Sequence, residues 1–293
     1  MKPAPFQYSA PKSLREALSI LAEHGYDAKP LAGGQSLIPT MNFRLAQPGL
    51  LVDLNNIPDL SYVRLGSDGS LHIGAMTRHS TVERDLLVAQ YAPLLHETMP
   101  HISHRQIRNR GTIGGSLAHA DPAAELPAVA VALDAKMRLV SQKGERWVAA
   151  SDFFVGLFAT DLAVGELLVE VVIPPAPPHS GCAFEEVARR PGDYAMVGAA
   201  AVIVLNAAGQ CDRAQLVFLS VGEYPTPAGQ AVALLEGRRP TAELVAQAAE
   251  TAASRDIDPV ADIHASVAYR RHLAKVLAQR TLTRAFERAG ATL

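Results

Sequence analysis

Apolar residues near the start of the chain recur with a helical period. Leu14, Ala17, Leu18, Leu21 and Ala22 share one face, Ser13 and Glu16 read as a capping box ahead of them, and Gly25 reads as the stop. Short buried strands are expected around Lys29 to Leu31 and Leu50 to Leu54, with a helix or helical turn from Leu37 to Arg44 between them. Residues 1–56 therefore read as a compact αβαβ unit, with the stretch LAGGQS on a strand-to-helix connection.

From Tyr62 the period changes to two. YVRLGSDGSLHIGA reads as a hairpin turned at Asp68-Gly69, and KMRLVSQKGERWVAA as a second hairpin. Between them the pattern predicts one amphipathic helix from about Thr81 to Met99, a glycine segment, and a helix from about Ala123 to Leu133. The strand ELLVEVVIP ends in a proline cluster, Pro174 to Pro178, which marks a boundary and closes a second unit at residues 57–176. In the third unit, residues 179–293, strands come first, near Ala183 to Arg189, Val197 to Leu205 and Gln215 to Val221. Helices follow, near Thr241 to Ser254 and Ala265 to Ala289, an order that predicts a sheet covered by helices, in the α+β class.

Composition narrows the function. The 293 residues carry 27 Lys and Arg against 29 Asp and Glu, with no long basic run, which argues against nucleic acid as a partner. The longest apolar runs, such as Met196 to Leu205, have about half the length of a bilayer span, and MKPAPFQYS lacks an apolar signal core, so a cytoplasmic protein without a membrane span is expected. The two cysteines, Cys182 and Cys211, lie far apart, so no iron-sulfur or zinc site can be built on thiolates of this chain alone. A redox role must then use a bound organic cofactor.

The candidate chemistry sits in two glycine segments, LAGGQS (Leu31–Ser36) and GTIGGSLAHADPAAELP (Gly111–Pro127). Glycine allows close approach of a ligand, and successive main-chain N–H groups in such a turn suit an anion such as pyrophosphate. Neither segment is GxGxxG or GxxxxGK[ST], although Asp53 follows the first at a spacing that suggests a ribose partner. Asp121, before Pro122, reads either as an N-cap or as an acceptor for a ribityl or ribose hydroxyl. His119 reads as a polar loop residue or a donor to a cofactor oxygen, and Glu125 as a first-turn acid or a second hydroxyl acceptor. The cluster RQIRNR, Arg105 to Arg110, reads first as solvated or interface charge, and second as a phosphate contact.

Four motifs together resemble one family. AGGQSLIPTMNFRLAQPGLLVDL, IRNRGTIGGSLAHADPAAELPA, RRPGDYAMVGAAA and DIHASVAYRRHLAKVLAQR are similar, in this order and across essentially the whole chain, to the FAD-binding medium subunit of the molybdenum hydroxylases. That group includes carbon monoxide dehydrogenase, quinoline 2-oxidoreductase and the flavin portion of xanthine dehydrogenase. The resemblance implies a two-lobed FAD-binding domain of the vanillyl-alcohol-oxidase type followed by a C-terminal α+β domain. It places pyrophosphate and ribityl contacts at Leu31, Ala32, Gly33, Gly34, Gln35, Ser36 and Leu37, and at Thr112, Ile113, Gly114, Gly115 and Ser116. Further flavin contacts fall at His119, Asp121 and Glu125, Leu167 falls in the strand passing the ring, and Tyr194 and Met196 fall beside the isoalloxazine.

The resemblance also implies electron transfer without a side-chain acid, base or nucleophile and without a metal on this chain. A large molybdenum-cofactor subunit and a small iron-sulfur subunit would be the partners, in a dimer of heterotrimers, with NAD or another acceptor taking electrons from FAD. VGEYPTPAGQA departs from the glycine-proline turn common at that place in the family, and with two cysteines the benzoyl-CoA-reductase-type subgroup, which carries an extra iron-sulfur loop, does not fit. Two rival readings stand beside this one: a self-sufficient FAD-dependent reductase or oxidase of the same fold, and a cofactor-free binding module in which the glycine pairs are turns.

Overall fold

The structure, a computed structural model, describes residues 2–293. Its first sheet is parallel and has three strands: β1 (Gln7–Ser9), β2 (Ala28–Leu31) and β3 (Leu50–Asp53), in the order β1-β3-β2. Helix α1 (Leu14–His24) packs Ala17, Leu18 and Leu21 on it, and α2 (Leu37–Asn42) follows β2. The Ser13 hydroxyl accepts from Glu16 N at 3.2 Å, while the Glu16 carboxylate reaches back to Lys12 N at 2.9 Å. Strand β1 lies outside the expected αβαβ pattern, because its residues QYS carry no apolar alternation and are ordered by parallel pairing with Leu50 to Val52.

The second sheet is antiparallel in the order β4-β5-β10-β6-β7, from β4 (Val63–Leu65), β5 (Leu71–Gly74), β6 (Lys136–Ser141), β7 (Gly144–Ala149) and β10 (Leu167–Ile173). A small hairpin, β8 (Phe154–Gly156) with β9 (Ala159–Thr160), projects from it after the one-turn helix α9 (Ala150–Phe153). The single helix expected from Thr81 to Met99 is three short ones: α3 (His79–Val82), α4 (Leu86–Tyr91) and α5 (Pro93–Thr98). Asp85 interrupts the run, because its carboxylate accepts from Leu87 N and Val88 N and restarts the helix. Pro93, which has no N–H to donate, forces a second restart. A further turn, α6 (Arg105–Arg108), precedes α7 (Ile113–His119) and α8 (Glu125–Ala132).

The third sheet, β11 (Ser180–Ala188), β12 (Ala195–Leu205), β13 (Cys211–Leu219) and β14 (Thr226–Pro227), is antiparallel in chain order. Helices α10 (Gly229–Leu235), α11 (Ala242–Thr251) and α12 (Val267–Arg288) contribute to the core on one side. Alternate residues Phe184, Ala200, Val217 and Leu219 join the core containing α5 and α8 on the other. A strand buried on both faces needs a continuous apolar run, which is why AMVGAAAVIVL is apolar from end to end. The departing segment VGEYPTPAGQA supplies the edge strand β14, where Pro227 is tolerated, and then enters α10.

Candidate functional site

The first glycine segment leaves β2 at Leu31 and enters α2 at Leu37. Gly34 has φ of 74° and its carbonyl accepts from Ile38 N at 3.1 Å, which starts the helix. The amides of Ala32 through Leu37 donate to no protein acceptor among the described residues. Ser36 occupies the N-cap position without a side-chain bond to the helix. Six consecutive open N–H groups beside the Ser36 hydroxyl leave donors available, the chemistry that suits an anion.

The second segment is folded differently. It forms the two-turn helix α7, capped by the Thr112 hydroxyl, which accepts from Gly115 N at 3.1 Å. Ile113 N donates to Thr77 O at 3.1 Å, Gly114 N to Ala75 O at 2.8 Å and Ser116 N to Thr112 O at 3.1 Å. These amides are already satisfied inside the protein. Glycine is needed at 114 for packing, since a Cβ there would stand 2.4 Å from Ala75 Cβ and 2.7 Å from Ala75 O.

The two segments touch. A Cβ on Gly33 would lie 2.3 Å from Arg110 O, and one on Gly115 would lie 3.3 Å from Ala32 Cβ. A polar network that the sequence did not reveal fixes this junction. Tyr8 donates to Asp53 at 2.6 Å, Asn55 N donates to Asp53 at 2.9 Å, and Asn55 Nδ2 donates to Ala32 O at 3.0 Å. Arg78 donates to Asn55 Oδ1 at 2.5 Å and to Arg110 O. Burial raises the Asp53 carboxyl pKa, but the bonds from Tyr8 and Asn55 outweigh it and hold Asp53 below its ordinary value. Asp53 is thus an anchor for the first loop. Of the RQIRNR cluster, Arg108 is buried in a two-pronged pair with Glu83, and Arg110 meets the loop through its carbonyl.

Buried His79 backs the second segment. Its backbone N–H donates to Gly111 O at 2.9 Å, and neither ring nitrogen has a hydrogen-bond partner among the described residues. Burial, with the Arg108 and Arg78 charges, lowers its pKa to about 4, so the ring is neutral.

Past α7 the chain turns at Ala120, which is left-handed with φ of 51°. His119 closes the helix with its ring 5.2 Å from that of Phe158 at the tip of the β8–β9 hairpin, and burial lowers its pKa. Asp121 is not an N-cap of α8, which begins at Glu125; its carboxylate instead accepts from Ala123 N at 2.9 Å within a turn. Tyr194, at the entry to β12 and 65% exposed, lies beside Asp121; burial at its hydroxyl end and the Asp121 charge raise the phenol pKa.

Glu125 is buried, and desolvation reinforced by nearby Glu186 raises its pKa to about 7. Met196 is partly buried against the C-terminal core, and Leu167 is buried with Leu18 and Val52. The structure therefore brings Leu31–Leu37 against the segment Gly111–Ser116 and Tyr194 beside Asp121, whereas Leu167 and Met196 pack in two separate cores.

On this α+β scaffold a glycine loop with open main-chain donors, packed against a second glycine segment, could hold the pyrophosphate of a dinucleotide cofactor. The family described as the FAD binding domain in molybdopterin dehydrogenase matches residues 4–176, and the CO dehydrogenase flavoprotein C-terminal domain matches residues 182–285. The chain belongs to this family of FAD-binding dehydrogenase subunits and is an oxidoreductase component. It is 44% identical to the 6-hydroxypseudooxynicotine dehydrogenase complex subunit alpha of Paenarthrobacter nicotinovorans, over 100% of this chain and 98% of that one. Quinoline 2-oxidoreductase from Pseudomonas putida 86 superposes with a TM-score of 0.93 at 41% identity, covering 99% of each chain. A carbon monoxide dehydrogenase from Hydrogenophaga pseudoflava, in a form lacking the Mo-pyranopterin moiety of its molybdenum cofactor, superposes with a TM-score of 0.94 at 37% identity, covering 98% of this chain and 99% of that one.

Proposed function

We propose that this chain is the FAD-carrying electron-transfer subunit of a heterotrimeric molybdenum hydroxylase. It takes electrons from a small iron-sulfur subunit, fed in turn by a large molybdenum-cofactor subunit, and passes them to NAD or another acceptor. A dimer of heterotrimers and a cytoplasmic location complete the reading; the two free cysteines, Cys182 and Cys211, suit a reducing compartment. The observation that carries it is the run of open amides from Ala32 to Leu37, which fits a diphosphate.

FAD, when bound, supplies the redox chemistry. The chain binds and orients it. Ala32, Gly33, Gly34 and Gln35 offer main-chain donors to the diphosphate, and the Ser36 and Ser116 hydroxyls add to them. Gly115 lets α7 lie close against the first loop, and Gly114 lets it pack on Ala75, so that the helix forms a wall of the site. His119 and Asp121 serve hydroxyls of the ribityl chain, and Tyr194 covers one face of the ring. Glu125, whose pKa burial raises to about 7, is about half protonated at pH 7, and in that form can donate as well as accept a hydrogen bond.

The test is purification from the native host, with flavin, iron and molybdenum quantified and copurifying chains identified. One FAD on this chain, with iron and molybdenum on two partners, supports the reading. A flavin-bearing chain without partners would replace it with a self-sufficient reductase, and a colourless chain that ignores added FAD would remove the cofactor altogether.

A further inference from the structure

Strand β12 outruns its neighbour on the side facing Tyr194. The last pair between β12 and β13 is Gly198 with Leu219, so Ala195, Met196 and Val197 extend past the end of β13. Side chains take over there. The Ser220 hydroxyl donates to Ala195 O at 2.7 Å, and Arg270 Nη1 donates to Met196 O at 2.5 Å and to Ser220 O at 3.0 Å. Arg270 Nη2 donates to Asp262 at 2.6 Å, and Asp262 is itself held by His264 N and Ala265 N at 2.8 and 2.9 Å.

Arg270 is only 7% exposed, and its Nε has no partner. Burying a cation costs stability, which here the bonds of Nη1 to two carbonyls and of Nη2 to Asp262 offset. Ser220 closes the circuit: it sits at a left-handed φ of 63°, and its N–H donates to Pro122 O at 2.9 Å. Pro122 follows Asp121, the residue beside the Tyr194 phenol. One guanidinium thus ties α12, the end of β13 and the start of β12 to the turn that carries Asp121.

We propose that Arg270 is a positioning residue: by holding the Met196 and Ser220 carbonyls, it sets where Tyr194 stands relative to Asp121 and so which surface the chain presents to the flavin ring. This rests on the FAD reading above. The fork of the guanidinium is essential, because a lysine ammonium cannot span two carbonyls and Asp262 with the same fixed geometry.

The test uses the full chain reconstituted with FAD and five variants: Tyr194→Ala, Tyr194→Phe, Arg270→Met, Arg270→Lys and Ser220→Ala. Two signals are followed, the fluorescence of bound flavin, which a covering tyrosine quenches, and the titration of the Tyr194 phenol in the apoprotein, assigned by difference from Tyr194→Phe. The proposal expects Arg270→Met to raise flavin fluorescence to the level of Tyr194→Ala and to bring the Tyr194 titration back toward the ordinary tyrosine value, with Arg270→Lys and Ser220→Ala in between. Should Arg270→Met fail to fold, Arg270→Lys, which keeps the charge but loses the fork, decides through its intermediate fluorescence and titration. Wild-type fluorescence and an unmoved Tyr194 titration in the folded Arg270 or Ser220 variants would overturn the proposal. If Tyr194→Ala leaves the fluorescence unchanged, the flavin-facing role of Tyr194 fails, and the apoprotein titration alone decides whether Arg270 positions it.

Discussion

In Leu31–Leu37 glycine leaves backbone groups open, whereas in Thr112–Ser116 it lets two pieces of backbone lie against each other. The first loop has six amides without a protein acceptor, and the second has its N-terminal amides bonded to Thr77, Ala75 and Thr112. A diglycine followed by a polar residue therefore has two physical meanings in one chain. The difference extends to the nearby carboxylates. Asp53 is held ionised by Tyr8 and Asn55, while burial pushes Glu125 toward its neutral form.

The largest effect that tests the comparison is expected at Gly114. Valine there would drive a Cβ into Ala75 and break the Gly114 N to Ala75 O bond, so stability should fall by about 3 kcal/mol or more, read from the denaturant midpoint. An unchanged midpoint would make the second segment as open as the first.

Glu125 should give the next largest effect. Its folded pKa of about 7 exceeds its ordinary value of 4.5, so the folded protein binds more protons than the unfolded chain between these two values. Stability therefore falls as pH rises through that window, by up to about 3 kcal/mol. Glu125→Gln should abolish this fall. The depressed Asp53 acts with the opposite sign, losing its contribution as pH drops through its folded pKa, and Asp53→Asn should remove that acid-side loss.

Smaller changes separate binding from folding. Ser36→Ala should weaken FAD binding about tenfold, the loss of one hydrogen bond to a charged group, while the unfolding temperature of the apoprotein stays put. Thr112→Ala should do the reverse, costing about 1 kcal/mol of stability through the lost cap, with little change in FAD affinity. If both variants shifted both quantities equally, the contrast between the segments would collapse.

Much of the scaffold is legible in the sequence where the signal is local. The Ser13 cap, the Asp68-Gly69 hairpin and the continuous apolar run of β12 each specify their own element, although Glu16 closes on Lys12 N rather than on Ser13 N as a capping box would. The misses have local causes too. Asp85 sits inside a periodic run and restarts the helix through its own carboxylate, and the glycines of IGGS conceal that Thr112 caps a helix. Strand β1 has no apolar pattern of its own. At the site, the glycine segments can be found by composition, but Asn55, Arg78, Ser220 and Arg270 cannot. Their distant partners, from Ala32 for Asn55 to Pro122 for Ser220, lie far along the chain, and only the fold brings them together. The Asp53–Asn55 spacing after β3, which makes a turn onto its own backbone, is the one local hint.

The central claim is that the open amides of Ala32 to Leu37 receive the cofactor. Amide hydrogen exchange of the full chain, followed by mass spectrometry with and without FAD, tests it directly. The account predicts that FAD slows exchange across residues 32–37, while residues 113–116 exchange slowly in both states. Flavin bound at full occupancy with unchanged exchange at 32–37 would contradict it.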